Sequence, residues 1–158
     1  MKKQKQKLKA GIVGSGFSAS FHVEALRRVY GVDVEIGGIY SPNPENRESF
    51  GRKNEIAVAD TLDELIDNSD VLHACIPPAA HEPVAIQALD AGKTVIIEKP
   101  FTGYFGPEGD KKNFNGDTFS RSEGLDAAIG SIKRLLDAEQ RSAGRIFYAE
   151  KDRKSTRL

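Results

Sequence analysis

Three short stretches of this chain bring together residue types able to hold a ligand or act on one. The first is Gly14-Ser15-Gly16-Phe17-Ser18-Ala19, which follows an apolar run of Leu8, Ala10, Ile12 and Val13. The spacing Gly14-x-Gly16-x-x-Ala19 is the dinucleotide-binding fingerprint, with alanine in its third small position. Gly14 permits a tight turn. Gly16 has no Cβ and so lets a pyrophosphate approach the backbone. Ala19 lets the following helix lie close to the strand. The helix start, Phe17 and Ser18 included, offers free N–H groups and partial positive charge to phosphate oxygens. Alone the pattern is weak, because glycine turns between a strand and a helix are common. The second stretch is Ile76-Pro77-Pro78-Ala79-Ala80-His81, and the third is Glu98-Lys99-Pro100.

The elements around these stretches decide whether they meet. Residues 8–13 read as a buried strand, and Phe21, Val23, Ala25, Leu26 and Val29 as the apolar stripe of a first helix. Residues 34–40 form a second strand, 41–44 a turn, 45–52 a short helix and 56–59 a third strand. Thr61-Leu62-Asp63-Glu64 has capping-box spacing and starts a helix through residue 66. A fourth strand, 71–76, is halted by Pro77-Pro78. A helix over 81–91 tolerates Pro83 in its first turn and stops at Gly92. A fifth strand, 94–98, is halted by Pro100. Residues 102–122 lose all periodicity while holding Tyr104, Phe105, Phe114 and Phe119; a flap over the site and a surface insertion both fit them. Leu125, Ile129, Ile132, Leu135 and Leu136 mark an amphipathic helix, and 146–148 a sixth strand.

Strands alternating with helices imply parallel strands joined by right-handed crossovers. Near-continuous apolar strands imply a sheet covered on both faces. The expected fold is therefore α/β, a doubly wound parallel sheet of the Rossmann type with strand order 3-2-1-4-5-6. Its switch point lies between the first and fourth strands. All three stretches end strands on the same side, so they face one crevice there.

With 158 residues, the chain suits one domain, placed at 1–149, followed by a charged tail over 150–158 that has no apolar periodicity. The 23 basic and 23 acidic residues cancel, so no net field draws it to nucleic acid or to an anionic membrane. The basic start, Lys2 to Lys9, reads as a solvated tail leading into the first strand. No apolar run nears the ~20 residues of a membrane span. Cys75, alone in an apolar run, reads as a buried inert thiol, and a cytoplasmic location follows. Three separated histidines and one cysteine show no metal-ligand spacing.

At these residues the chain resembles the N-terminal half of the Gfo/Idh/MocA family of oxidoreductases. The resemblance rests on Gly14-Ser15-Gly16-Phe17 with His22 and Ala25-Leu26, on Pro77-Pro78-x-x-His81, on Ala88-Leu89-x-Ala91-Gly92-Lys93, and on Glu98-Lys99-Pro100-Phe101. It implies an NAD(P)-dependent dehydrogenase or reductase acting on a sugar, cyclitol or similar polyol. It also implies that Lys99 lies near the nicotinamide and the reacting hydroxyl or carbonyl. An ammonium there would stabilise a developing alkoxide and take part in proton transfer. Gly14, Ser15, Gly16, Phe17, Ser18, Ile76, Pro77, Pro78, His81 and Glu98 are expected to contact the cofactor. His81, near a helix N-terminus, would line the groove, although a plain helix-start histidine accounts for it equally well, and Glu98 would hold Lys99 or touch the nicotinamide ribose. His22 and His73 carry weaker signals, one inside a helix and the other inside a strand.

NAD sites commonly place Asp or Glu at the end of the second strand. Here that position is Ser41, and Glu35 stands at the wrong end of the strand. Ser41, Asn43 and Arg47 could instead receive a 2′-phosphate, with Arg47 supplying charge. The reading inclines to NADP over NAD, although a solvated helix residue accounts for Arg47 equally well. The resemblance further implies a second α/β domain, which would supply substrate contacts and the homo-oligomer interface. The chain stops before it, so the fragment is expected to be inactive by itself. The alternative is a non-catalytic NAD(P)-binding module, a sensor or partner subunit.

Overall fold

The computed structural model describes residues 7–106, 114–117 and 119–149. Five parallel strands form one sheet: β1 (Lys7–Val13), β2 (Asp33–Tyr40), β3 (Val71–Ala74), β4 (Thr94–Glu98) and β5 (Ile146–Ala149), in the order β2-β1-β3-β4-β5. The helices are α1 (Phe17–Leu26), α2 (Pro44–Asn54), α3 (Leu62–Asp67), α4 (His81–Asp90) and α5 (Arg121–Arg141), with a 3-10 turn at Pro78–Ala80 before α4. Among the described residues no helix is long and apolar enough to cross a membrane.

Both faces of the sheet are covered, which is why β1 reads as an unbroken apolar run. Side chains alternate across a strand, so Ile12 and Val13 fall into different cores. Ile12 packs with Ala19 and Val23 of α1, Ile39 of β2 and Phe50 of α2. Val13 packs on the other face with Leu65, Leu72, Ala85, Leu89, Ile97 and Leu135, from α3, α4, α5 and their strands. Ala19 is fully buried, as close packing of α1 on the sheet requires.

The expected strand order holds, with one element reduced. Residues 56–59 make only a bridge, Ile39 with Val58. Ile39 N donates to the Ala57 carbonyl and Ala59 N to the Ile39 carbonyl, both at 2.9 Å. The piece cannot grow longer. Glu55 before it ends α2 in a left-handed conformation, φ 55°, and Asp60 after it already donates its N–H to Glu64 at 2.8 Å. The helix expected over 45–52 begins earlier, at Pro44, because Asn43 caps it: the Asn43 side chain accepts from Asn46 N.

Candidate functional site

The order of successive strands reverses between β1 and β3, and there the three stretches meet. Gly14 closes the end of β1 at φ 108°, its N–H donating to the Tyr40 carbonyl at 2.7 Å. A Cβ on Gly14 would stand 2.2 Å from the Cys75 carbonyl oxygen, so this turn accepts only glycine. Gly16 is different. It caps α1 with extended backbone and no side-chain bond to the helix start, and a Cβ there would meet nothing within 4 Å. The first N–H groups of α1 therefore face open space that a side chain would fill. Beside them Phe17 stands out into solvent, 80% exposed, its ring edge-on to Phe21 at 4.6 Å.

A cleft of about 480 Å³ runs from this turn to the ends of β3 and β4, lined by Phe17, Ser18, Phe21, Cys75, Ile76, Glu98 and Lys99. It joins residues from all three stretches. Lys99 is exposed, and its peptide bond to Pro100 is cis. Pro77 and Pro78 open the 3-10 turn that leads into α4.

His81 does not line this cleft, contrary to expectation. It is 1% exposed. Its Nε2 lies 3.1 Å from the Ile76 carbonyl and its Nδ1 3.1 Å from the Pro100 carbonyl. The 3-10 turn rotates the start of α4 so that this side chain points inward. There it ties the Pro77-Pro78 loop to the Lys99-Pro100 loop from beneath.

Ser41, Asn43 and Arg47 gather at the exit of β2, each engaged with its neighbours. Ser15 Oγ donates to Ser41 Oγ at 3.2 Å, and Asn43 is spent on capping α2. Arg47 is 14% exposed and pairs with Asp60 at 3.2 Å. It also donates to the Ser41 carbonyl at 3.3 Å. Glu35, as expected, lies at the far end of β2, paired with Lys7 at 2.9 Å.

The two histidines given least weight from sequence form the most connected feature of the site. His22 Nε2 lies 2.7 Å from Glu98 Oε1, and His22 Nδ1 lies 2.7 Å from His73 Nδ1. The His22 and Glu98 side chains are 10% and 13% exposed, and His73 is buried. Burial, helped by the neighbouring His22, pulls the His73 imidazole from its ordinary 6.5 down to about 4. A signal was present in the sequence. A histidine inside the apolar strand residues 71–76 must find a hydrogen-bond partner. Its partner lies on another element, so spacing along the chain did not name it. Among the described residues no group of three or more His, Cys, Asp or Glu side chains is arranged to hold a metal ion. The feature is a line of hydrogen bonds.

The aromatic residues after β4 lie elsewhere. Tyr104, Phe114 and Phe119 pack on one another with centroids 4.9 to 5.5 Å apart, against the start of α5. Most of the intervening stretch, 107–113 and 118, falls outside the described residues.

Residues 8–106 match the model of an oxidoreductase family with an NAD-binding Rossmann fold, Gfo/Idh/MocA. Glucose-6-phosphate 3-dehydrogenase of Bacillus subtilis is 38% identical over 92 residues, which are 58% of this chain and 26% of that protein. UDP-N-acetylglucosamine 3-dehydrogenase of Acidithiobacillus ferrooxidans is 28% identical over 142 residues, covering 87% of this chain and 42% of that one. The chain thus spans less than half the length of these relatives. In fold it is similar to the WlbA dehydrogenase of Bordetella pertussis, whose structure holds NADH and UDP-GlcNAcA: TM-score 0.70, 22% identity, 91% of this chain and 35% of that one.

Proposed function

Since this chain belongs to the Gfo/Idh/MocA oxidoreductase family, with its NAD-binding Rossmann fold, we propose that it forms the nicotinamide-dinucleotide-binding part of a dehydrogenase. The reaction is hydride transfer between the cofactor and a ring hydroxyl of a sugar, cyclitol or related polyol. One observation carries this reading: the uncapped start of α1, the end of β3 and Glu98-Lys99 line a single cleft.

In this reading Gly14, Ser15, Gly16, Phe17 and Ser18 receive the pyrophosphate on the helix N-terminus. Ile76 gives the cleft an apolar wall, Pro77 and Pro78 stiffen the loop that follows it, and His81 holds that loop from below. Glu98 and Lys99 stand where the nicotinamide end would lie. When bound, the cofactor supplies the position that accepts or returns the hydride. Lys99, exposed at the strand end, is placed to hold the oxygen of the reacting carbon by charge and hydrogen bond and to pass its proton. The named activities of two relatives, both 3-dehydrogenases of hexose sugars, support a sugar-like substrate. For the cofactor, the absence of a carboxylate at Ser41 leaves room for a 2′-phosphate, with Arg47 as the cation at that edge.

The test is direct. Titrating the chain with NADH and with NADPH while following nicotinamide fluorescence should give saturable binding of at least one. Failure of both at millimolar concentration overturns the proposal.

A further inference from the structure

The line His73–His22–Glu98 is not explained by cofactor binding or by packing alone. It joins three elements: His73 comes from β3, His22 from α1 and Glu98 from the end of β4. In register His73 stands beside Ile12 and Ile96. Its side chain therefore points to the α1 face, as does that of Glu98 two residues beyond Ile96. A carboxylate only 13% exposed needs donors, and at this floor of the cleft His22 is one. An ionised carboxylate only accepts, so His22 Nε2 must carry the hydrogen. The second contact then closes in either charge state of His22. A neutral His22 accepts at Nδ1 from His73 Nδ1–H, and a protonated His22 donates through Nδ1–H to a neutral His73. The pair can take one proton but not two, because two N–H groups would then face each other. In both permitted states the hydrogen bond to Glu98 is kept.

We propose that His22 and His73 are positioning residues that hold the ionised Glu98 carboxylate at the nicotinamide end of the cleft, beside Lys99. This rests on the dinucleotide-binding reading above. Glu98 supplies a fixed negative charge there, which favours the positively charged oxidised nicotinamide over the neutral reduced one. The line also runs from the helix that starts at the glycine turn to the strand that carries Lys99. It thus fixes the distance between the pyrophosphate site and the nicotinamide end of the bound dinucleotide.

The experiment separates the nicotinamide end from the rest of the dinucleotide. The chain and its variants His22→Leu, His22→Gln and Glu98→Gln are titrated with NADH, NAD+ and ADP-ribose, the last lacking the nicotinamide. His22→Leu should weaken NADH binding roughly tenfold, the effect of losing a hydrogen bond to a charged group, and leave ADP-ribose within about twofold. His22→Gln, which restores a donor to Glu98, should recover most of the NADH affinity. Glu98→Gln should weaken NAD+ more than NADH. Equal weakening of NADH and ADP-ribose by His22→Leu would reduce His22 to a scaffold residue and overturn the proposal. So would unchanged affinity for both. If His22→Leu does not fold, the NAD+ to NADH ratio in Glu98→Gln decides, and an unchanged ratio overturns the proposal. A wild-type chain that binds none of the nucleotides overturns the function itself, and this inference with it.

Discussion

A Cβ on Gly14 would sit 2.2 Å from the carbonyl oxygen of Cys75, whereas one on Gly16 would touch nothing. Two glycines in one fingerprint thus have different work. Gly14 lets β1 turn against the end of β3; Gly16 keeps a space clear. Gly14→Ala should destabilise the fold by about 3 kcal/mol or more, since it combines a positive φ with a backbone clash. Gly16→Val should leave the melting temperature nearly unchanged and abolish nucleotide binding. Thermal unfolding and NADH titration of both variants check this, and a folded, non-binding Gly14→Ala protein would contradict it.

Lys99 lies at the rim of the cleft and is exposed, so its side chain has little to do with stability. Lys99→Met should leave the unfolding midpoint within about 0.5 kcal/mol and NADH affinity within a few-fold. Wherever sugar oxidation by a protein bearing this site can be measured, kcat should fall by about 10²-fold or more. Unchanged turnover would remove Lys99 from the chemistry.

The features read correctly from sequence are those written in consecutive residues. Gly14-Ser15-Gly16 and Glu98-Lys99-Pro100 each end a strand, and Pro77-Pro78 follow one that stops two residues sooner than expected, at Ala74; parallel topology then delivers all three to one side. What escaped depends on rotation and register. His81 could face either the groove or the interior, and only the turn at Pro78–Ala80 decides. His22, His73 and Glu98 lie on three elements, and their meeting requires β1, β3 and β4 to be in register with α1 at one rotation. Residues 56–59 have strand composition, but the α2 stop at Glu55 and the α3 cap leave them no length.

Because His81 joins the Ile76 and Pro100 carbonyls from inside the fold, its removal should be felt in both loops. His81→Phe keeps a ring there but removes both nitrogens, so the carbonyl that receives the ring N–H loses its donor. An unsatisfied buried group costs about 1–3 kcal/mol, and the denaturant midpoint should drop accordingly. Hydrogen exchange should rise in both loops together. A variant as stable as the wild type would show that this carbonyl finds another donor.

His73 gives the fold a pH dependence of definite sign. Its imidazole titrates near 4 when folded, against an ordinary 6.5, so the unfolded chain binds more protons between those values. Its contribution is complete above about 6.5, declines as pH falls through that window, and is gone below about 4. The size is at most about 3 kcal/mol. The groups facing it are His22 from α1 and, through His22, Glu98 from β4. Denaturant unfolding at pH 7, 5.5 and 4.5 should show the decline, and His73→Leu should flatten it. A wild-type stability that rises on acidification through this range would refute the assignment.

Arg47 tests the choice of cofactor. It is held between the Ser41 carbonyl and the Asp60 carboxylate, and Asp60 is largely exposed. If a 2′-phosphate binds at this edge, it must share Arg47 with Asp60, so the preference for NADPH should be modest. Arg47→Gln should then weaken NADPH about tenfold, the value of a charge-assisted contact, and leave NADH almost unchanged. Asp60→Asn should do the reverse: it frees the guanidinium and removes a like charge from the phosphate, so NADPH binds tighter. Equal losses for both nucleotides in Arg47→Gln would mean that Arg47 only braces the turn after β2, and the cofactor would then be NAD.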